Sequence, residues 1–222
     1  LSGTSRAALL AVGNLAPGMK FVDRSDGQLS DIQVFNHFAD TERLLLVDRF
    51  RYDSPHFANA AQVSGTIAAD SRWDLALRYY PELANWTLRS AVTYQHEPAI
   101  DFDNRLDLGM SARHDDTGLS LTVGLVHAKR ADGEIASGYV SKLGWLTNIN
   151  SLGTTAFSLD YTDGNDAIII GDRSKSLGFF VYQNWDNIGL DYYAGYRRYD
   201  VKRPDIDLYA LNVFVLGVIF NF

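Results

Sequence analysis

The last fifteen residues, Leu208 to Phe222, read LYALNVFVLGVIFNF and carry neither a charge nor a proline. Taken in twos, Phe222, Phe220, Val218, Leu216 and Phe214 form one row that ends at Asn212. Asn221, Ile219, Gly217, Val215 and Val213 form the other. A period of two belongs to a strand, whose successive side chains leave on opposite faces. One face is large and apolar throughout; the other is smaller and mixed. Soluble domains seldom end on such a segment, because termini fray. A membrane-spanning barrel strand has this form, with an apolar face toward lipid and a mixed face toward the interior.

The remaining chain extends the pattern. Residues 1 to 42 show little sustained alternation and a spread of acids, Asp23, Asp26, Asp31 and Asp40, so they are expected to form a long functional loop or tail. Within them, Ile32 to Phe38 is compatible with a helical turn. From Arg43 onward, short alternating segments follow one another between turns such as Asp53-Ser54-Pro55. Trp73, Leu75, Leu77 and Tyr79 oppose Asp74, Ala76 and Arg78, and Trp86, Leu88, Val92 and Tyr94 oppose Thr87, Arg89, Thr93 and Gln95. The same reading continues through Leu106, Leu108 and Met110, then Leu119 to Leu125, Tyr139 to Trp145, Phe157 to Tyr161, Leu177 to Val181 and Leu190 to Tyr196. Eleven strands are predicted from Arg43 to Phe222.

The second face decides between soluble and membrane folds. It repeatedly carries Arg78, Arg89, Arg105, Asp107, Lys142, Asp191 and Arg197. In a sandwich core, unpaired charges at those positions would be prohibitive. In a wide barrel they line water. The predicted fold class is therefore all-β, a transmembrane antiparallel barrel. With 46% apolar residues but no continuous apolar run long enough for a membrane helix, a barrel is the spanning structure this chain permits. Twelve Tyr and four Trp suit the aromatic girdles of such a barrel. Trp73, Tyr79, Trp86, Tyr94, Trp145 and Tyr192 fall on the apolar parity or beside turns, as lipid-interface anchors or as packing surfaces of an oligomer.

Connections at 53–55, 81–85, 114–118, 147–151 and 185–188 read as tight turns. Those at 97–101, 128–137, 162–175 and 199–207 read as longer and charged, with 69–72 a short exception. Short periplasmic turns and long outer loops would place the C-terminus in the periplasm. An odd strand count starting at the outer side implies further strands upstream, because bacterial barrels have an even number.

Other chemistry finds little support. The chain has no Cys, which removes disulfides and thiol catalysis. A net charge of −7 argues against nucleic acid. The five His show no metal spacing, and neither a nucleophile elbow nor a phosphate-binding glycine loop is present. Asp160, Asp163, Asn165 and Asp166 cluster in an expected outer loop, where a calcium site is conceivable but a solvated acidic loop is favoured. No catalytic residue, cofactor or metal site is expected.

Several stretches resemble Gram-negative general porins, most nearly of the alphaproteobacterial branch. They are LSGTS at 1–5, FRYDSP at 50–55, SRWDLALRY at 71–79, KLGWL at 142–146, SLGTTAFSLDY at 151–161, YAGYRRYD at 193–200 and NVFVLGVIFNF at 212–222. The resemblance implies a sixteen-stranded trimeric barrel in the outer membrane, conducting small hydrophilic solutes and ions by passive diffusion. Residues 1–42 would be the third outer loop folded into the lumen, and 43–222 strands six to sixteen. Asp23, Asp26 and Asp31 on that loop would face Arg49, Arg51, Arg78 and Arg89 across a constriction, while Arg105, Asp107, Lys142, Asp191 and Arg197 line the wall. Lipid and lipopolysaccharide would surround the barrel, and the assembly machinery would read Phe220 and Phe222 at the end. The alternative is a barrel piece that needs another chain to close.

Overall fold

The computed structural model describes residues 18–38, 48–58, 60–97 and 102–220. The LSGTS stretch, Asp40, Arg43 and Phe222 lie outside the described residues. The described chain opens with a small antiparallel hairpin, β1 (Lys20–Val22) and β2 (Leu29–Gln33), followed by one helical turn, α1 (Val34–His37). That turn matches the expectation for Ile32 to Phe38. The hairpin does not: three and five residues are too few to register as alternation. Its turn holds Asp26-Gly27, with Gly27 at φ 71°, a pairing that favours tight hairpins.

A meander follows: β3 (Arg49–Asp53), β4 (Ala61–Ala68), β5 (Trp73–Tyr79), β6 (Glu82–Leu83), β7 (Trp86–Glu97), β8 (Phe102–His114), β9 (Leu119–Arg130), β10 (Ile135–Asn150), β11 (Gly153–Asn165), β12 (Arg173–Trp185), β13 (Leu190–Lys202) and β14 (Leu211–Phe220). These make one twelve-stranded antiparallel sheet in chain order, with the two-residue β6 attached only to β7. Setting β6 aside, eleven strands run in sequence, the number read from alternation. Among the described residues, β3 and β14 are each paired on one side only.

Away from irregularities at His96/Glu97, Phe102/Asn104 and Thr147/Asn150, parity holds across the pairings of the large sheet. Leu75 faces Tyr94, Val92 faces Leu108, Leu121 faces Leu143, Leu159 faces Phe179 and Tyr196 faces Phe214. These residues form the exposed face, where Phe214 and Leu216 are 79% and 82% accessible. The opposite, inner face holds the buried residues, including Asp74, Asp160, Asp191 and Arg197. Over most of the sheet the exposed face is apolar and the charged side chains lie on the opposite face, the inverse of a soluble domain.

The connections fall at two rims. One rim carries the link between β3 and β4, then 80–85, 115–118, 151–152 and 186–189, and β14 runs toward it; the other carries 69–72, 131–134, 166–172 and 203–210. The expected loop at 128–137 shrinks to a four-residue turn at 131–134, because β9 and β10 extend through Arg130 and from Ile135. Among the described connections, 166–172 and 203–210 are the long ones on that rim, and the link between β3 and β4 is as long on the other. Loop length therefore separates the rims less sharply than the sequence suggests.

An apolar cluster of buried residues sits on the inner face near the 166–172 and 203–210 connections. Phe21, Ile32, Val34 and Phe38 of the hairpin and helix pack against Tyr199, Val201, Leu208 and Val213. The Phe38 and Tyr199 rings meet edge-on at 5.0 Å. Backbone bonds secure the contact: the Tyr209 amide donates to the Val22 carbonyl at 2.9 Å, and the Arg24 amide to the Asp207 carbonyl at 2.8 Å.

Candidate functional site

Inward-facing charges are the chemistry this sheet offers, and their spacing decides their partners. Residues two apart on a strand share a face. Arg-x-Asp recurs at 51–53, 105–107 and 113–115, and each guanidinium lies 2.9 Å from the carboxylate two residues on. The pattern continues at the rims, at 130–132 with 3.1 Å and at 203–205 with 2.6 Å. Such forked pairs are geometrically specific and neutralise each other locally. The repeat was visible in the sequence as a signal, yet Arg113, Asp53 and Asp115 were not among the predicted site residues.

Arg51, Asp53, Ser64 and Arg78 form one polar group. Arg78 donates to the Ser64 hydroxyl and approaches Asp53 at 3.9 Å. Arg49 is exposed opposite Ala68, and Arg89 is exposed with its guanidinium 6.0 Å from the Tyr80 ring. The predicted loop acids lie elsewhere. Asp31 pairs with Lys20 at 2.9 Å, Asp23 accepts the Ser25 amide at 2.8 Å, and Asp26 accepts the Gln28 amide at 2.8 Å. Among the described residues no ion pair joins these acids to the four wall arginines. These acids are paired locally, within the hairpin itself. The hairpin's own buried apolar side chains pack against Tyr199 and Val201 of β13, Leu208, and Val213 of β14.

The wall residues also differ from expectation in their exposure. Arg105 and Asp107 are only 14% and 12% exposed in their side chains, and Gln95 donates to Asp107 at 3.2 Å. Asp191 is buried and accepts the Asn184 amide group at 2.6 Å. Arg197 is fully buried, donating to both Asp160 oxygens at 2.6 and 2.7 Å and to Ser176 at 2.8 Å. Arg105, Asp107, Asp191 and Arg197 lie on the sheet face opposite the exposed apolar rows, each hydrogen-bonded to protein groups, and Lys142 on the same face is half-buried.

One cross-strand row explains the Arg197 pair. Lys142, Asp160, Gly178 and Arg197 lie side by side on β10 to β13. A Cβ on Gly178 would stand 2.7 Å from Arg197 Nη2 and 3.0 Å from Asp160 Oδ2. The glycine is the gap through which Arg197 reaches across a strand. One row on, the Phe180 ring covers Gly195, where a Cβ would come within 2.1 Å. Arg197 lies 5.5 Å from the Phe180 ring and 5.8 Å from the Tyr199 ring, which shield it.

Asp160 and Asp163 were expected in one acidic loop; instead β11 runs through both, three residues apart on opposite faces. Asp163 pairs with Arg173 at 2.7 Å, and no group of metal-ligating side chains occurs among the described residues.

Below the 166–172 connection, His37 and Asp172 are both buried, with Nε2 3.7 Å from Oδ2. Asp172 accepts the amides of Ala167, Ile168 and Ile169 at 2.8 to 3.1 Å. Burial holds the His37 imidazole below its ordinary 6.5, against the opposing pull of Asp172.

The six aromatics fall in two bands on the exposed face. Tyr79, Trp86, Trp145 and Tyr192 lie toward the rim that β14 reaches, and Trp73 and Tyr94 toward the other, 5.6 Å apart. Trp145 donates its indole N–H to the Thr117 carbonyl at 3.2 Å, tying it to the rim.

Comparisons with family models and with curated proteins return no match. Among solved structures, the chain is similar to the NanC porin in a rhombohedral crystal form. Identity is 14% and the TM-score 0.43, with 78% of this chain and 92% of that one covered.

Proposed function

We propose that this chain forms the wall of an outer-membrane channel through which small hydrophilic solutes and ions diffuse passively. The observation that carries the reading is the inverted sheet: exposed Phe214, Leu216, Val218 and Phe220 on one face, and paired charges such as Arg105–Asp107 and Arg51–Asp53 on the other. Only closed hydrogen bonding is tolerated in lipid, so a sheet with this outer face belongs in a barrel. Two aromatic bands at the rims support the same placement. Residues 1–42 are proposed as the lumen-folded loop, with Phe21 and Phe38 as its anchors, and the resemblance to alphaproteobacterial general porins extends the proposal to a homotrimer. In that reading Phe220 and Phe222 are the end recognised in assembly, and the C-terminus is periplasmic.

Because Arg51, Arg105 and Arg113 are each neutralised by an acid two residues on, the proposed channel is weakly charge-selective. The test is single-channel conductance of the purified protein in a planar bilayer. Stepwise insertions with ohmic conductance and a near-unity cation-to-anion permeability ratio are expected; absence of steps from inserted protein overturns the reading.

A second reading is favoured by the edges of β3 and β14, each paired on one side only among the described residues. Closure then requires further strands, supplied by the same polypeptide or by another chain. Intact mass of the membrane-extracted protein separates these: a species near 24.7 kDa that conducts only with a partner supports the two-chain form.

A further inference from the structure

On the exposed face of β12 and β13, the apolar belt gives way to charge at one level. Outward residues on β12 run Val181, Phe179, Leu177, then Lys175 and Arg173. On β13 they run Ala194, Tyr196, then Arg198, Asp200 and Lys202. Register sets Leu177 opposite Arg198, Lys175 opposite Asp200, and Arg173 opposite Lys202. With Tyr161 these charges line a recess of about 410 Å³.

Cations outnumber acids here, four to two, in a chain whose net charge is −7. Asp163 is occupied: Arg173 donates to its two oxygens at 3.0 and 2.7 Å, and Lys175 stands 3.6 Å away. Asp200 lies 4.0 Å from Arg198. No described ion pair includes Lys202. Like charges directly opposite on an antiparallel pair are unfavourable, and Arg173 and Lys202 are so placed. An anion between them removes that cost. Arg173, Lys175 and Arg198 keep 48%, 41% and 55% of their side chains accessible, so the recess is open to one.

We propose that this recess binds the phosphate of a phosphorylated membrane-lipid headgroup, with the acyl chains lying along Leu177, Phe179 and Tyr196. The proposal rests on the reading that the exposed face meets lipid. Given that reading, the geometry selects a lipid phosphate. The cations stand one step beyond the apolar belt, at headgroup depth, and Arg and Lys together offer forked and point-charge donors to phosphate oxygens. Free phosphate shares the headgroup chemistry but gains nothing from the belt.

The test uses the purified full-length protein, delipidated in neutral detergent and offered equimolar phosphatidic acid and phosphatidylcholine of identical chains, with bound lipid read by native mass spectrometry. Phosphatidic acid is expected to be retained at least roughly tenfold over phosphatidylcholine. Arg198→Gln with Lys202→Gln is expected to weaken that retention roughly 25-fold, about fivefold per cation removed. Lys129→Gln, another outward cation near this rim, should change nothing. Inorganic phosphate should displace the lipid only in large excess. Equal retention of the two lipids by the unmodified protein, which needs no variant to fold, overturns the proposal, as does unchanged retention in the double variant. Displacement by inorganic phosphate at the lipid's own concentration overturns the lipid assignment. Conductance of the double variant should equal that of the parent, so a failed channel and a failed lipid site are told apart.

Discussion

Arg197 is a fully buried cation whose counter-charge, Asp160, is equally dry. Removing one partner of such a pair leaves an uncompensated charge and costs about 3–5 kcal/mol, whereas replacing both by apolar groups is far better tolerated. Asp160→Ala is therefore expected to lower unfolding stability in lipid by about that amount, and Asp160→Ala with Arg197→Met to recover most of it. Equal losses in the single and double variants would show the pair to be energetically idle. Gly178→Ala should reproduce part of the loss, about 1–3 kcal/mol, because its methyl enters the space Arg197 crosses. His37 adds a pH dependence whose sign follows from its lowered pKa. Between 6.5 and the lowered value, the unfolded chain binds the proton more readily than the folded one. Stability that is fully present above pH 6.5 is thus lost as pH falls through this window. Proteolytic protection of residues 18–38 should weaken from pH 7 to pH 5, and His37→Phe should flatten that slope.

At the scale of elements, the hairpin and α1 are held to β13 and β14 by few but well-buried contacts. Phe38 is 8% exposed and Phe21 is 0% exposed. Truncating a buried Phe to Ala costs about 3–5 kcal/mol, more than such a small element is expected to survive. Phe21→Ala with Phe38→Ala should release the hairpin while leaving the long strands intact, since their ladders do not depend on it. If the hairpin occupies a lumen, single-channel conductance rises in this variant. Unchanged conductance with a demonstrably released hairpin would remove it from the conduction path.

For the whole molecule, the exposed apolar face is the decisive property. Leu216 is 82% exposed. In water, a charge at so exposed a site changes stability by about 0.5 kcal/mol or less. In a bilayer, Arg at mid-depth on the lipid face costs about 2–4 kcal/mol. Leu216→Arg is expected to fall in the second range when unfolding is followed in lipid vesicles, and a near-neutral result would place this face in water.

The alternation of Trp73 to Tyr79, Trp86 to Gln95 and Leu211 to Phe220 determined, without any structure, which residues share a face and the eleven strands that run in sequence through the large sheet. Period two is local, set by the pleat of a single strand. It could not give the partners of the inward charges. Asp160 and Arg197 stand 37 residues apart and meet only because Gly178 lies between them in register. The docking of Arg24 on the Leu208 carbonyl spans 184 residues. Nor could parity reveal that the hairpin acids satisfy themselves, or that turns thought long were strand. Those outcomes depend on cross-strand register and on competition between apolar packing and charge pairing, which are decided once the sheet has formed.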